Sequence, residues 1–176
     1  MIFHETSLKG AYVISIEKRE DERGFFARSW CQKEFEKYGL NPRLVQCNIS
    51  FNKVKGTLRG MHYQVKPFEE AKVVRCTQGS IYDVIVDIRP GSATYRQHVG
   101  VTLTSGNHLM LYIPAGFAHG FLTLEDEAEV SYQMSEFYSS DHARGFRWND
   151  PAFGIALPGA ITVISDRDRT YPDFEP

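Results

Sequence analysis

The sequence predicts a mainly β fold, an antiparallel sandwich or barrel with enough strands for a jelly roll, and three observations carry this expectation. Short segments rich in Val, Ile, Tyr and Thr recur between Gly, Pro, Asn and Asp punctuation. The main helical candidate is a single short stretch, expected to be peripheral. At 176 residues, 42% hydrophobic and 13% aromatic, the chain is long enough to bury a real core, and its length favours one domain over 1–176.

The elements follow in order. Ala11–Ile16 reads as a strand. Cys31–Tyr38 reads as a helix with Phe35 and Tyr38 on one face, stopped by Gly39. Val73–Thr77 is a strand ending in a turn at Gly79, and Ile81–Ile88 follows with apolar and acidic residues alternating at its end. His98–Leu103 is the next strand, and Leu109–Ile113 stops at Pro114-Ala115-Gly116. Ala128–Met134 resumes the extended pattern. Arg147–Pro151 and the proline-containing tail match neither period and are expected to lie as irregular structure over the barrel. There is no internal repeat, low-complexity tract or linker.

A formal charge of -2 and a pI near 6.3 offer no general attraction to nucleic acid or anionic lipid, so neither is expected as a partner. Cys31, Cys47 and Cys76 are odd in number and lack a C-x-x-C pair, which predicts reduced structural thiols rather than a zinc or redox centre. The N-terminal residues carry no signal-peptide pattern and no apolar run reaches membrane-spanning length, which predicts a cytoplasmic protein.

The stretch Gly56–Gln64 is the most informative for chemistry, because it sets Arg59 and His62 among aromatic and apolar neighbours. In a regular strand these two would point to opposite faces, so a shared pocket requires a bend or bulge, for which Gly60 is the obvious place. A second histidine, His119, lies in Pro114–Phe121, read as a rigid turn able to present it to the mouth of a barrel. Taken singly, either histidine is expected to be packed in the core or at the surface and satisfied by backbone. Ser165–Asp168 reads by default as a solvated turn, but a carboxylate folded back on His62 would fix its tautomer and stabilise its protonated form. Tyr132 is a possible proton donor, though core packing is the ordinary role for one of nine tyrosines. Lys72 and Arg59 could neutralise an enolate oxygen or a diphosphate, although a lone cation is ordinarily at the surface.

Taken together these segments resemble the dTDP-4-dehydrorhamnose 3,5-epimerase family across nearly the whole chain, from Asp21–Phe26 to Ser165–Asp168. The strongest parts are Leu58–Gln64, Lys72–Arg75, Asp83–Arg89 with Gly91–Thr94, Pro114–Phe121 and Arg147–Pro151. The resemblance implies a cupin-like jelly roll with short peripheral helices, a homodimer, and a nucleotide-linked 4-keto-6-deoxy-hexose as substrate, with no cofactor and no metal. By the same resemblance His62 is the base, Asp168 its partner, Tyr132 the opposite-face acid and Lys72 the enolate-stabilising cation. Arg23, Gln46, Asn48, Arg59, His119 and Arg167 match or lie near positions that hold nucleotide, diphosphate or sugar. Such a set suffices for epimerisation, since protons beside a ketone are acidified by delocalisation of the carbanion onto oxygen.

Four features depart from the family pattern. Arg28 and Ala143 stand where acids are usual, Gln133 where Lys is frequent, and the Asn48–Gly56 connection is about one residue longer. The proton-transfer set is intact, so epimerisation is expected to survive while the nucleotide and the choice of C3, C5 or both stay open. A metal-dependent cupin oxygenase is the enzymatic alternative, disfavoured because His62 is followed by Tyr63-Gln64 rather than completing a His-x-His pair. A non-catalytic sugar-binding module is the other, disfavoured by the joint presence of His62, Tyr132, Lys72 and Asp168.

Overall fold

Gly79, at a φ of +73°, joins two strands that belong to different sheets, and this step sets the two layers of the fold. The computed structural model describes residues 1–175. Its strands are β1 Ile2–Glu5, β2 Tyr12–Ser15, β3 Arg19–Asp21, β4 Gly24–Phe26, β5 Gln46–Asn52, β6 Thr57–Gln64 and β7 Lys72–Gln78. They continue as β8 Ser80–Asp87, β9 His98–Thr104, β10 Met110–Ile113, β11 Phe117–Thr123, β12 Ala128–Met134, β13 Ala143–Gly145 and β14 Val163–Ile164, with helices α1 Gln32–Lys37 and α2 Asp166–Thr170. The first sheet runs β1-β2-β10-β7-β12-β5 and the second β13-β6-β11-β8-β9, with β14 paired parallel to β6. The remaining pairs in both sheets are antiparallel, and β3–β4 is a separate hairpin. This is the jelly-roll architecture expected from the strand pattern, with two short helices.

Period-two alternation fills the space between the sheets. Val74 and Cys76 of β7, Ile81 and Ile85 of β8, Leu111 and Ile113 of β10, and Ala128 and Val130 of β12 share one buried cluster. Each large apolar side chain buried this way contributes roughly 1.5–3 kcal/mol. The opposite faces are covered differently. Helix α1 lays Phe35 against Phe3, Val73, Met110 and Tyr112 on the first sheet. On the second, Phe146, Phe153 and Ile155 cover Met61, Val84, Val86 and Ala118. Strand β8 is therefore buried on both faces, which is why its sequence pattern is blurred.

The expected strands appear within one or two residues of their predicted limits. Two expectations need correction. Only residues 114–116 form the turn before His119; Phe117–Thr123 is a strand of the second sheet with every residue buried, because both flanking strands pair with it. The tail is not wholly irregular, since Val163–Ile164 adds to β6 and Ser165 starts α2 by accepting a hydrogen bond from the Asp168 N–H at 3.1 Å. Among the described residues no helix is long and apolar enough to cross a membrane, and Cys31, Cys47 and Cys76 are free thiols.

Candidate active site

The stripe of inward residues that fills the core turns polar toward one end of the strands. In the first sheet the register aligns Ser50, Val130 and Cys76 in one row, Asn48, Tyr132 and Val74 in the next, and Gln46, Met134 and Lys72 in the last. Alternation alone thus brings Tyr132 and Lys72 to the same face as the core valines. In the second sheet His62 pairs with His119 and Arg59 with Phe121, so β6 spends three steps where β11 spends two. That extra residue is a bulge at Gly60 and Met61, and it turns both Arg59 and His62 into the cavity while Met61 packs outward against the cluster with Phe146. Gly60 has a φ of +119°, and a Cβ there would lie 2.5 Å from the Gly120 Cα, so glycine is required at the point the sequence indicated.

Two adjoining cavities share Arg59, His62, Lys72 and Tyr132, the larger of about 1090 Å³ and open to solvent. The larger is lined also by Gln46, Asn48 and Arg167, and the smaller by His119. Asp168 stands behind His62, its Oδ1 2.6 Å from Nε2. Far from a solvated turn, Asp168 is 4% exposed, and its Oδ2 accepts the Gly60 N–H at 3.2 Å, so the bulge and the pair are built together. Burial pushes this carboxyl up, but the hydrogen bond and charge of His62, with help from Gly60 and Ser165, hold it below the ordinary carboxylate range. Tyr132 is half-buried against the core, and burial raises its pKa against the opposing charge of Arg59.

Arg59 is itself fixed, donating from Nε to the buried Asn52 Oδ1 at 2.7 Å. His119 mirrors His62: its Nε2 lies 2.5 Å from Oδ1 of the buried Asp83. Arg167 lies over the Tyr171 ring, with Cζ 5.4 Å from the centroid. Buried Gln64 ties down the loop that carries Tyr138, donating to the carbonyls of Phe68 and Phe137 and accepting the Ser139 N–H.

Nine of the ten expected site residues are thus gathered at one place. The exception is Arg23, which sits on the exposed β3–β4 hairpin bonded to Asp21, away from the cavity wall of its own chain. Of the two positions where an acid is usual, Ala143 lines the cavity, whereas Arg28 lies away from it, paired with Glu34 beside the N-terminal amine. Sequence reasoning passed over Asp83, Glu70, Tyr138, Arg144 and Tyr171. Only Asp83 carried a signal, as an acid inside an otherwise apolar strand that must find a partner when buried. Among the described residues no three His, Cys, Asp or Glu side chains are grouped to hold a metal ion.

Fold and site together define a cupin-like jelly-roll enzyme whose cavity sets the His62–Asp168 pair on one wall and Tyr132 and Lys72 on the other. The description dTDP-4-dehydrorhamnose 3,5-epimerase belongs to the family that matches residues 5–176, and the chain is a member of that family of isomerases. It is 42% identical to the dTDP-4-dehydrorhamnose 3,5-epimerase of Sinorhizobium fredii over 99% of this chain and 90% of the relative. The crystal structure of the Bacillus anthracis enzyme of that name, with TDP and PPi bound, superposes with a TM-score of 0.94 at 40% identity, covering 98% of this chain and 99% of the other. The dTDP-6-deoxy-D-glucose-3,5-epimerase of Legionella pneumophila, in complex with dTDP-4-keto-L-rhamnose, superposes with a TM-score of 0.90 at 34% identity over 99% of both chains.

Proposed function

We propose that the chain converts dTDP-4-dehydro-6-deoxyglucose to dTDP-4-dehydrorhamnose by inverting C3 and C5, the carbons on either side of the C4 ketone. The observation that carries this reading is the carboxylate-backed His62 on one wall facing Tyr132 and Lys72 on the other. The relatives' bound ligands, TDP and dTDP-4-keto-L-rhamnose, support the thymidine nucleotide. His62, tied to Asp168 through one ring nitrogen, takes a proton from carbon with the other, and Asp168 offsets the imidazolium charge. Lys72 stabilises the enolate oxygen as charge moves onto it. Tyr132, kept protonated by burial, returns a proton to the opposite face. Because the substrate's own ketone acidifies the carbon, the reaction requires neither metal nor nicotinamide.

Gln46, Asn48, Arg59, His119 and Arg167 serve as the binding groups, with the two guanidiniums suited to the diphosphate. Arg23 serves the cavity of a second copy, and the working unit is a homodimer of single-domain chains in the cytoplasm. Supporting the dimer is the apolar surface left on the first sheet, where the edge strand β5 exposes Ile49 by 68% and Phe51 by 47%. The test is incubation in heavy water with dTDP-, CDP-, GDP- and UDP-linked 4-keto-6-deoxy sugars, read by NMR. Deuterium at C3 and C5 of the dTDP sugar is expected; label at C3 alone contradicts inversion at C5, and no label with any nucleotide overturns the epimerase reading.

A further inference from the structure

Among the described residues that line the cavity Glu70 is the one acid, and Arg59, Lys72, Arg144 and Arg167 supply positive charge. It is 7% exposed, and its Oε1 lies 2.8 Å from the Lys72 Nζ. Among the described residues no other carboxylate pairs with that ammonium. The second oxygen, Oε2, is buried without a hydrogen-bond partner among the described residues. An ion pair kept for stability would satisfy both oxygens, because desolvating a carboxylate costs several kcal/mol that a single contact seldom offsets. The backbone between the two side chains is pinned: the Ala71 N–H donates to Ser135 Oγ at 2.8 Å and the Ser135 N–H to the Ala71 carbonyl at 2.9 Å. Glu70 is therefore a rigid, incompletely satisfied acid whose partner is the cation of the facing wall.

We infer that Glu70 is a positioning residue for the epimerase reaction, its charge holding the Lys72 ammonium at a fixed point so that the N–H donors face the developing enolate oxygen. An ammonium carries three donors on a flexible four-carbon stem, and the ion pair with Glu70 restrains that stem at 2.8 Å. Anchoring it before substrate arrives removes the reorganisation that an untethered lysine would undergo in the transition state. This inference rests on the assignment of Lys72 to the enolate oxygen.

The experiment compares kcat, KM and thermal unfolding for wild type, Glu70→Gln, Lys72→Met and the double variant, all with the dTDP-linked ketosugar. Glu70→Gln is expected to keep or raise Tm and to lose roughly 10- to 100-fold in kcat with little change in KM, the scale of a misplacement near 1 Å. Placed on Lys72→Met it should cause no further loss, because it acts only through the ammonium. Wild-type kcat in Glu70→Gln, an equal loss in both backgrounds, or a fall in Tm that accounts for the lost activity would each overturn the inference. Full activity in Lys72→Met removes the Lys72 assignment itself, an outcome separable from the others because it is read without touching Glu70.

Discussion

On the β6–β11 wall each imidazole is tied to a buried acid from elsewhere in the chain, His62 to Asp168 and His119 to Asp83. On the β5–β12–β7 wall Tyr132 is set in place by strand alternation, its ring against the core. For His62 and Tyr132 the difference fits the roles proposed for them. A base that becomes cationic needs a fixed counter-charge and a fixed tautomer. A donor that begins neutral needs only to be kept so, and burial achieves that for the phenol.

Removing the counter-charge should therefore have the largest effect. Asp168→Asn preserves shape but not charge, and kcat is expected to fall by roughly 10²–10⁴-fold with substrate binding largely retained; a loss below tenfold in steady-state assays would mean that the pair is only structural. On the other wall, Tyr132→Phe retains the packing and removes the proton. Overall turnover should drop by about 10²-fold while deuterium exchange initiated by His62 persists, so the ratio of exchange to product formation rises. An unchanged ratio would place the donor elsewhere.

The bulge that joins the first wall's two functions can be tested through its glycine. Gly60→Ala adds a Cβ against the Gly120 backbone at an unfavourable φ, and a destabilisation of about 2–4 kcal/mol is expected in denaturant melts. Native stability in that variant would refute the geometric account of why Arg59 and His62 share a cavity.

Acid should strain the second sheet. Burial pushes the Asp87 carboxyl up, but hydrogen bonds from Arg89, Ser92 and Thr94 outweigh this and hold it at about 2 against an ordinary 3.8, while Asp168 is also depressed. For a depressed carboxyl the stabilisation is present above its unfolded value and is lost as pH falls through the folded one. Asp87 is therefore expected to contribute about 2 kcal/mol that disappears between pH of about 4 and about 2. Thermal melts across that window should show a shallower decline in Asp87→Asn.

The fold was legible where side chains alternate and turns carry glycine, as in Ala128–Met134, recovered to the residue. The bulge was legible too, because Arg59 and His62 cannot share a face without it. The helix that carries Asp168 was hidden by its length of five residues, too short for any periodicity; a carboxylate from this segment against His62 could be posed from chemistry alone, but the choice of Asp168, 106 positions away, came from family resemblance. Glu70 and Tyr138 lie in connections, where composition says nothing about which cavity a side chain reaches. Arg23 matched a family position, yet it stands on the exposed β3–β4 hairpin apart from the cavity, because a matched motif does not say where its loop is placed.

Whether His62 removes the proton is decided by solvent exchange into the dTDP-linked ketosugar in His62→Ala. Deuterium incorporation at C3 and C5 should be nearly abolished in a protein that retains its fold and still binds TDP. Incorporation at the wild-type rate would contradict the account and move the base to another residue of the cavity.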